Sequence, residues 1–132
     1  MLKKTIKYTD YNGQEREEDF YFDLSSAEIT EMELSEQGGL TSLIQKMIAT
    51  QDTPSLIKMF KLLILKAYGE KSADGRRFIK SPELATAFSQ TPAYSILFME
   101  LVTDDKAAAA FVNGIVPKEL SEKQNELETK KK

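Results

Sequence analysis

The first 23 residues alternate between apolar and polar side chains, the pattern of a strand with one buried face. Ile6 and Tyr8 alternate with lysine and threonine, and further along Phe20 and Phe22 alternate with tyrosine and aspartate. An Asn-Gly pair lies between the two runs, and such a pair favours a tight turn. The pattern predicts a β-hairpin over residues 2–23, whose aromatic face must pack on the rest of the protein.

The apolar face of this hairpin determines which turn it needs. A two-residue loop of Asn12 and Gly13 would put Leu2 and Phe22 on opposite faces, because a slip of one residue inverts a strand. A three-residue loop, with Gly13 left-handed and a bulge beside it, puts them on one face, so we predict this loop. The opposite face would then carry lysines against polar or acidic residues: Lys3 and Lys7 against Tyr21, Asp19 or Glu17.

From residue 25 onward the apolar positions recur every three or four residues, as in helices. Ser25 and Glu28 form a capping-box pattern, which predicts a short helix that ends by Gly38-Gly39. Three later helices each start at a hydroxyl residue followed by proline. Those starts are Thr53-Pro54, Ser81-Pro82 and Thr91-Pro92. The predicted later helices are 40 or 41 to 50, 54–68, 82–90, 92–102 and 105–113. Helix 92–102 is apolar enough to be the buried central helix, and helix 105–113 ends at Asn113-Gly114.

These elements predict an α+β protein that is mainly α, with an N-terminal β-hairpin packed on a bundle of about five or six short helices. One globular domain would cover residues 1–116, with the hairpin at 2–23 and the helices at 25–114. Residues 117–132 contain two leucines and no other large apolar side chain. We expect this last segment to be a charged, flexible tail.

Composition narrows the function classes. With 132 residues, 41% hydrophobic and 30% charged, the chain can form one packed core. It has no Cys and no His, which excludes disulfides, Cys/His zinc sites and His-based nucleophilic catalysis. A net charge of −3 disfavours broad nucleic-acid binding, and the longest apolar run is too short to cross a bilayer. We expect a non-enzymatic protein with no cofactor, no metal, no nucleic-acid partner and no membrane partner.

The segment YGEKSADGRRFIKSP, residues 68–82, is the first candidate ligand site. It lacks the alternating acidic ligands of a calcium loop and the strand-to-helix placement of a phosphate loop. Arg76 and Arg77 remain as groups that could bind an anion or a partner. The favoured interpretation is an exposed connector, in which Gly69 ends a helix, Asp74-Gly75 forms a tight turn and Phe78 and Ile79 contact the core.

Helix 54–68 supplies the second candidate. Its core face is predicted to carry Leu56, Phe60, Leu63 and Ala67, flanked by Met59 and Ile64. The opposite face is rich in lysine, yet two leucines project into it. The sequence leaves open whether other helices cover these leucines or a partner binds them. The predicted partner surface, which would suit an acidic amphipathic helix, consists of Lys58, Lys61, Leu62, Leu65 and Lys66.

The whole chain resembles the tail assembly chaperones of long-tailed bacteriophages, proteins encoded ahead of the tape measure protein. Three segments carry the resemblance, which covers about residues 5 to 117: YNGQEREEDFYFDLSSAEI, LILKAYGEKSADGRRFIKSPELATAFSQTPAYSILFMELVTD and AAAAFVNGIVP. The resemblance implies a non-enzymatic protein of the host bacterial cytoplasm that is absent from the mature virion. It implies that the chain binds the tape measure protein, keeps it soluble and helps to recruit tail tube protein.

The same resemblance implies a frameshifted longer form as a further partner. Lys130-Lys131-Lys132 is compatible with a slippery adenine-rich codon run, and a gene without one would contradict this idea. Homo-oligomerisation stays open. The alternatives are a structural tail or connector component and a small regulatory helical protein. Tube subunits are usually rich in β-structure, whereas this sequence shows one convincing hairpin.

Overall fold

The computed structural model describes residues 1–35 and 53–117. Four strands pair as an antiparallel sheet in the order β1-β2-β3-β4, and five helices lie within these ranges. In chain order the elements are β1 Leu2–Thr9, β2 Glu15–Phe22, α1 Ser26–Ser35, α2 Thr53–Ala67, β3 Tyr68–Lys71, β4 Phe78–Ile79, α3 Pro82–Ser89, α4 Pro92–Thr103 and α5 Asp105–Ile115. The predicted class, α+β and mainly α with an N-terminal hairpin, is confirmed. No helix in the described ranges is long and apolar enough to span a bilayer.

The N-terminal hairpin has the predicted register. Leu2 lies opposite Phe22, so both face the core. The Asp10 N–H donates to the Gln14 carbonyl at 2.9 Å, which leaves three residues in the loop, and Gly13 is left-handed at φ 81°. On the outer face Lys3 lies opposite Tyr21 and Lys7 opposite Glu17, as predicted, and Thr5 lies opposite Asp19 between them.

The carboxylate of Asp10 braces this turn. It accepts hydrogen bonds from the backbone N–H groups of Asn12 and Gln14, both at 2.9 Å, and from Nε of Arg16 at 2.6 Å. The bond from Arg16 is the main reason why the pKa of Asp10 lies below its ordinary value, and the backbone bonds add to it. The turn is therefore held by side-chain contacts as well as by the strand ladder.

Residues 68–79 form a second hairpin, which the sequence did not predict. Gly69 pairs with Tyr21 of β2, and Glu70 pairs with Ile79 of β4. The prediction that the helix extends to Tyr68 and ends at Gly69 is wrong, because α2 ends at Ala67 and the chain continues as β3. The extended backbone of β3 provides hydrogen-bond partners for the backbone groups on the outer edge of β2. The sheet therefore has four strands, which weakens the argument from low β-content against a structural tail component.

The predicted Asp74-Gly75 turn is confirmed as the loop of this second hairpin. Gly75 is left-handed at φ 74°, and its N–H donates to the Ser72 carbonyl at 2.9 Å. The Ser72 N–H donates to the Arg77 carbonyl at 2.9 Å and closes the loop. Phe78 and Ile79 are half-buried and pair with β3.

The predicted helix starts are confirmed where the structure describes them. Ser25 and Glu28 form the reciprocal capping box, with N–H to oxygen distances of 3.1 and 3.0 Å. The hydroxyls of Ser81 and Thr91 each accept from the N–H three residues later, at 3.1 and 3.2 Å. Asp104 caps α5 in the same way. The predicted cap at Thr53 lies outside the described side chains.

Some predicted bounds need correction and others lie outside the described residues. The last helix does not stop at Asn113-Gly114 but continues to Ile115, whose side chain is fully buried. Three predictions fall on residues that the structure does not describe: the end of the first helix at Gly38-Gly39, the helix from 40 or 41 to 50, and the order of the tail beyond 117. The domain boundary at 116 therefore stays a prediction.

Helix α4 is only half buried, contrary to the prediction of a buried central helix. Ala93, Leu97 and Leu101 form its buried side, whereas Ile96 is 44% exposed and Met99 52% exposed. The helix is apolar nearly all round, so its sequence contains no stripe that marks which side the neighbours cover.

Lys80 joins the second hairpin to the start of α1. Its Nζ donates to Glu28 Oε2 at 2.5 Å and to the Asp23 carbonyl at 2.6 Å. Partial burial pushes the pKa of Glu28 upward, but the hydrogen bonds from Lys80 and from the Ser25 N–H outweigh it. The pKa of Glu28 in the folded protein therefore lies below its ordinary value.

The lowered pKa of Glu28 predicts a pH-dependent contribution to stability. A carboxylate with a lowered pKa stabilises the fold above its unfolded pKa, ordinarily 4.5, and loses this contribution as the pH falls through the folded value. We expect Glu28→Gln to lower the free energy of unfolding by about 1 kcal/mol at neutral pH, because the cap and a half-exposed ion pair are weakened. Urea unfolding of both proteins should show this difference shrinking below pH 4.5. A difference that is constant with pH would contradict the assignment.

Candidate partner-binding surface

Helix α2 separates an apolar core face from a lysine-rich outer face. Its buried side chains recur at helical spacing, as predicted: Phe60, Leu63, Ile64 and Ala67. Met59 is half-buried beside them, and the side chain of Leu56 lies outside the described part. The core face packs against α3 and α4 and anchors the helix, so that the outer face keeps a fixed position.

The outer face of α2 holds a shallow depression of about 380 Å³. Among the described residues, its lining is the predicted set of two leucines and three lysines: Lys58, Lys61, Leu62, Leu65 and Lys66. One helix brings them together, because residues three or four apart share a face. The carbon stems of lysine can extend an apolar surface while their ammonium groups stay in water.

The two leucines are placed differently. Leu62 is 39% exposed, so its side chain is available at the surface. Leu65 is half-buried and packs against the core cluster. Leu65 therefore fixes the floor of the depression, and Leu62 is the more accessible contact. The arrangement offers an apolar patch with a cationic rim, which can bind an apolar stripe flanked by acidic side chains.

A family model for phage tail assembly chaperones matches residues 1–132. The chain belongs to this family. No curated protein and no solved structure gives a significant match. The resemblance carried by the three sequence segments is thereby confirmed. Membership implies that this tail assembly chaperone acts with a tail-related protein and has a non-enzymatic role.

Arg76 and Arg77 of the chaperone lie apart from α2, in the loop of the second hairpin. Their backbone N–H groups brace that loop, donating to Asp74 Oδ1 and Ser72 Oγ, each at 3.0 Å. The Ser72 hydroxyl donates to Asp74 at 2.7 Å, and this bond, with the one from Arg76, holds the pKa of Asp74 below its ordinary value. Asp74 therefore serves the turn. Both arginine side chains are exposed, and neither lines the depression on α2.

A larger depression, of about 500 Å³, lies along the first hairpin of the chaperone near its turn. Its walls mix basic, acidic and hydroxyl side chains: Lys7, Tyr8, Thr9, Glu15, Arg16 and Glu17. Four of these are already engaged within the hairpin, since the Tyr8 hydroxyl donates to Glu18, Arg16 binds Asp10, and Lys7 forms an ion pair with Glu17. This surface has no apolar floor for a helix. Within residues 1–35 and 53–117, no group of acidic side chains is placed to hold a metal ion either.

Sequence reasoning missed part of the exposed apolar surface of the chaperone. Ile57, 39% exposed, extends the apolar character of α2 by one turn, and Ile96 and Met99 form a separate stripe on α4. The exposure of Ile57 could have been predicted from the sequence, because Ile57 lies one helical turn before Lys61 and so shares the outer face of the helix. The stripe on α4 had no local signal, since its exposure depends on how the neighbouring helices pack.

Proposed function

We propose that this tail assembly chaperone binds the tape measure protein, keeps it soluble before assembly and supports assembly of the tail tube. The observation that carries the proposal is the depression on α2, where an exposed leucine lies among three lysines. Family membership indicates that the chain acts in tail assembly, and the apolar and cationic character of the depression indicates which kind of partner segment it can bind.

The charge distribution favours an acidic amphipathic helix as the bound segment. The chain has a net charge of −3, yet this face of α2 carries three lysines and no acidic residue. A long helical protein that is not yet assembled exposes apolar stripes, which lead to aggregation. A patch that covers such a stripe while its lysines pair with flanking carboxylates would keep the segment in solution.

Co-expression with the tape measure protein tests this proposal. We expect the wild-type chain to raise the soluble fraction of the tape measure protein and to be retained with it on an affinity resin. Leu62→Glu should reduce retention about tenfold or more, because it places a carboxylate at the centre of the contact, where an aromatic or aliphatic anchor is worth about 1–3 kcal/mol. Since Leu62 is partly exposed, the variant should keep its fold, as thermal unfolding can verify.

Two variants make the result specific to α2. Lys58→Glu with Lys61→Glu reverses the rim and should weaken retention more at low salt than at high salt. Ile96→Glu introduces the same side chain at a similarly exposed site on α4 and should leave retention unchanged. If Leu62→Glu, or the pair Leu62→Glu and Leu65→Glu, folds and still captures the tape measure protein, the α2 surface is wrong. Loss of capture only in Ile96→Glu would assign the site to α4.

The remaining parts of the proposal concern partners and place. We propose that the chaperone acts in the host bacterial cytoplasm, is not retained in the virion, and works with the tail tube protein and a frameshifted longer form of itself. The exposed Arg76 and Arg77 are the proposed contacts outside α2. Mass spectrometry of purified virions tests the location, since abundant copies would show a structural component instead.

A further inference from the structure

Two strand edges of the first hairpin have no neighbour among the described residues. One is the whole outer edge of β1, which is the first strand of the sheet. The other is the outer edge of β2 from Glu15 to Asp19, because β3 pairs with β2 only at Tyr21 and Phe22. Free strand edges present unpaired N–H and C=O groups, which can bind a further strand.

The hydrogen-bond pattern shows which residues point to these edges. The Asp10 N–H donates to the Gln14 carbonyl across the turn, and residues along an antiparallel pair alternate between bonded and non-bonded positions. The backbone groups of the odd-numbered residues therefore point outward on both strands. The pairing of Tyr21 with Gly69 follows this rule. The outward residues are Lys3, Thr5, Lys7 and Thr9 on β1, and Glu15, Glu17 and Asp19 on β2.

The two edges have opposite charge on the same face of the sheet. The outward residues of β1 include two lysines and no acid, whereas all three of those on β2 are acidic. Within the hairpin only Lys7 and Glu17 form an ion pair on this face, at 3.9 Å, and their side chains stay 80% and 56% exposed. Lys3 and Glu15 make no ion pair with any described residue. The edges therefore keep charge available for a second strand.

We propose that these edges bind each other between copies of the chain, with β1 of one copy added to β2 of the next. An antiparallel register that places Lys7 opposite Glu15 also places Lys3 opposite Asp19 and Thr5 opposite Glu17. In this register the outward backbone groups of both strands face each other and can form ladder bonds. Each lysine then meets a carboxylate across the strands, which is a favourable cross-strand pair.

The charges also disfavour the symmetric alternatives. Two antiparallel β1 edges would place each outward lysine opposite a lysine or a threonine and offer it no carboxylate, and two β2 edges would place carboxylates directly opposite each other, which is destabilising. The contact is therefore heterologous, and each copy keeps one free edge of each kind. Such a contact continues from copy to copy instead of closing as a dimer. This inference stands independently of the proposed function.

Sedimentation velocity of the full chain over a wide concentration range tests the proposal. We expect the mean mass to rise with concentration beyond two chains at about 0.1 M salt and to fall back towards the monomer at about 1 M salt, where charges are screened within about 3 Å. A monomer at every concentration, or a dimer that grows no further, would overturn the proposal.

Charge reversal at the two unpaired residues identifies the edges. Lys3→Glu weakens the β1 edge and Glu15→Lys weakens the β2 edge, so each variant alone should stay monomeric where the wild type associates. An equimolar mixture should form a one-to-one complex that stops at two chains, because only one intact edge of each kind remains. Lys106→Glu and Glu83→Lys change the net charge equally at exposed helical sites and should associate like the wild type. Edge variants that behave like these controls would overturn the proposal.

Discussion

Replacing Phe22 by Ala is expected to lower the free energy of unfolding by about 3–5 kcal/mol, the cost of truncating a fully buried aromatic side chain. Phe22 is fully buried, and its ring lies 5.8 Å from that of Tyr68, 5.7 Å from Phe88 and 5.3 Å from Phe111. These partners come from β3, α3 and α5. The truncation therefore opens a cavity where three other elements meet the hairpin, and little of it can close.

Urea unfolding followed by circular dichroism measures this change. Small proteins have total stabilities of about 5–15 kcal/mol, so the variant should unfold at a much lower urea concentration or be unfolded already in buffer. Tyr11→Ala is the matched control, because Tyr11 is an aromatic residue of the same hairpin that is 85% exposed. We expect that control to stay within about 0.5 kcal/mol of the wild type. A loss below about 1 kcal/mol in Phe22→Ala would show that the ring cluster does not hold the hairpin.

The first hairpin could be predicted in detail because two independent constraints agree there. Alternation fixes which residues share a face, and the Asn12-Gly13 pair limits the turns that the chain can form. An odd number of loop residues places Leu2 and Phe22 on one face, and the structure has three. The helix starts were predictable for a related reason. A cap is a contact between residues three apart, so its signal lies wholly in the local sequence.

The second hairpin could not be predicted because its stabilising contacts are distant in sequence. β3 has four residues and β4 has two, and Glu70 and Lys71 give β3 no apolar alternation. Gly69 belongs to a strand because it pairs with Tyr21, a residue far earlier in the chain. Tyr68 adds a ring stacked on Phe88 at 4.2 Å. These contacts exist only after the first hairpin and α3 have packed.

The candidate surface on α2 was also predictable where it depends on local sequence and not where it depends on distant contacts. Its membership follows from helical spacing, so the sequence predicted all five residues that line the depression. The different exposure of Leu62 and Leu65 could not be predicted, because it depends on which side chains from other elements pack against each leucine. Arg76 and Arg77 were predicted to lie in an exposed connector, and the structure shows that this connector is the loop between β3 and β4, away from the depression on α2.

Replacing Gly69 by Ala is expected to destabilise the fold by about 2–3 kcal/mol, because the added methyl group overpacks the contact between β3 and β4. A Cβ at this position would lie 2.7 Å from Cε2 of Phe78 and 2.8 Å from the carbonyl oxygen of Ile79. The ring can rotate away, whereas the carbonyl belongs to the backbone of β4. Because Gly69 also pairs with Tyr21 of β2, the glycine cannot move aside without breaking the sheet.

The other hairpin glycine of this segment separates crowding from backbone conformation. Gly75 has φ 74°, and a Cβ added there would meet no described atom within 4 Å, so Gly75→Ala should cost about 1–2 kcal/mol through its left-handed backbone alone. Gly75→Asn should recover most of that cost, because asparagine tolerates this conformation. At Gly69 the order should invert, with Asn worse than Ala, since the larger side chain meets the same carbonyl. Chemical unfolding of the four variants distinguishes the cases, and equal tolerance of Asn at both sites would contradict the close approach of β3 and β4.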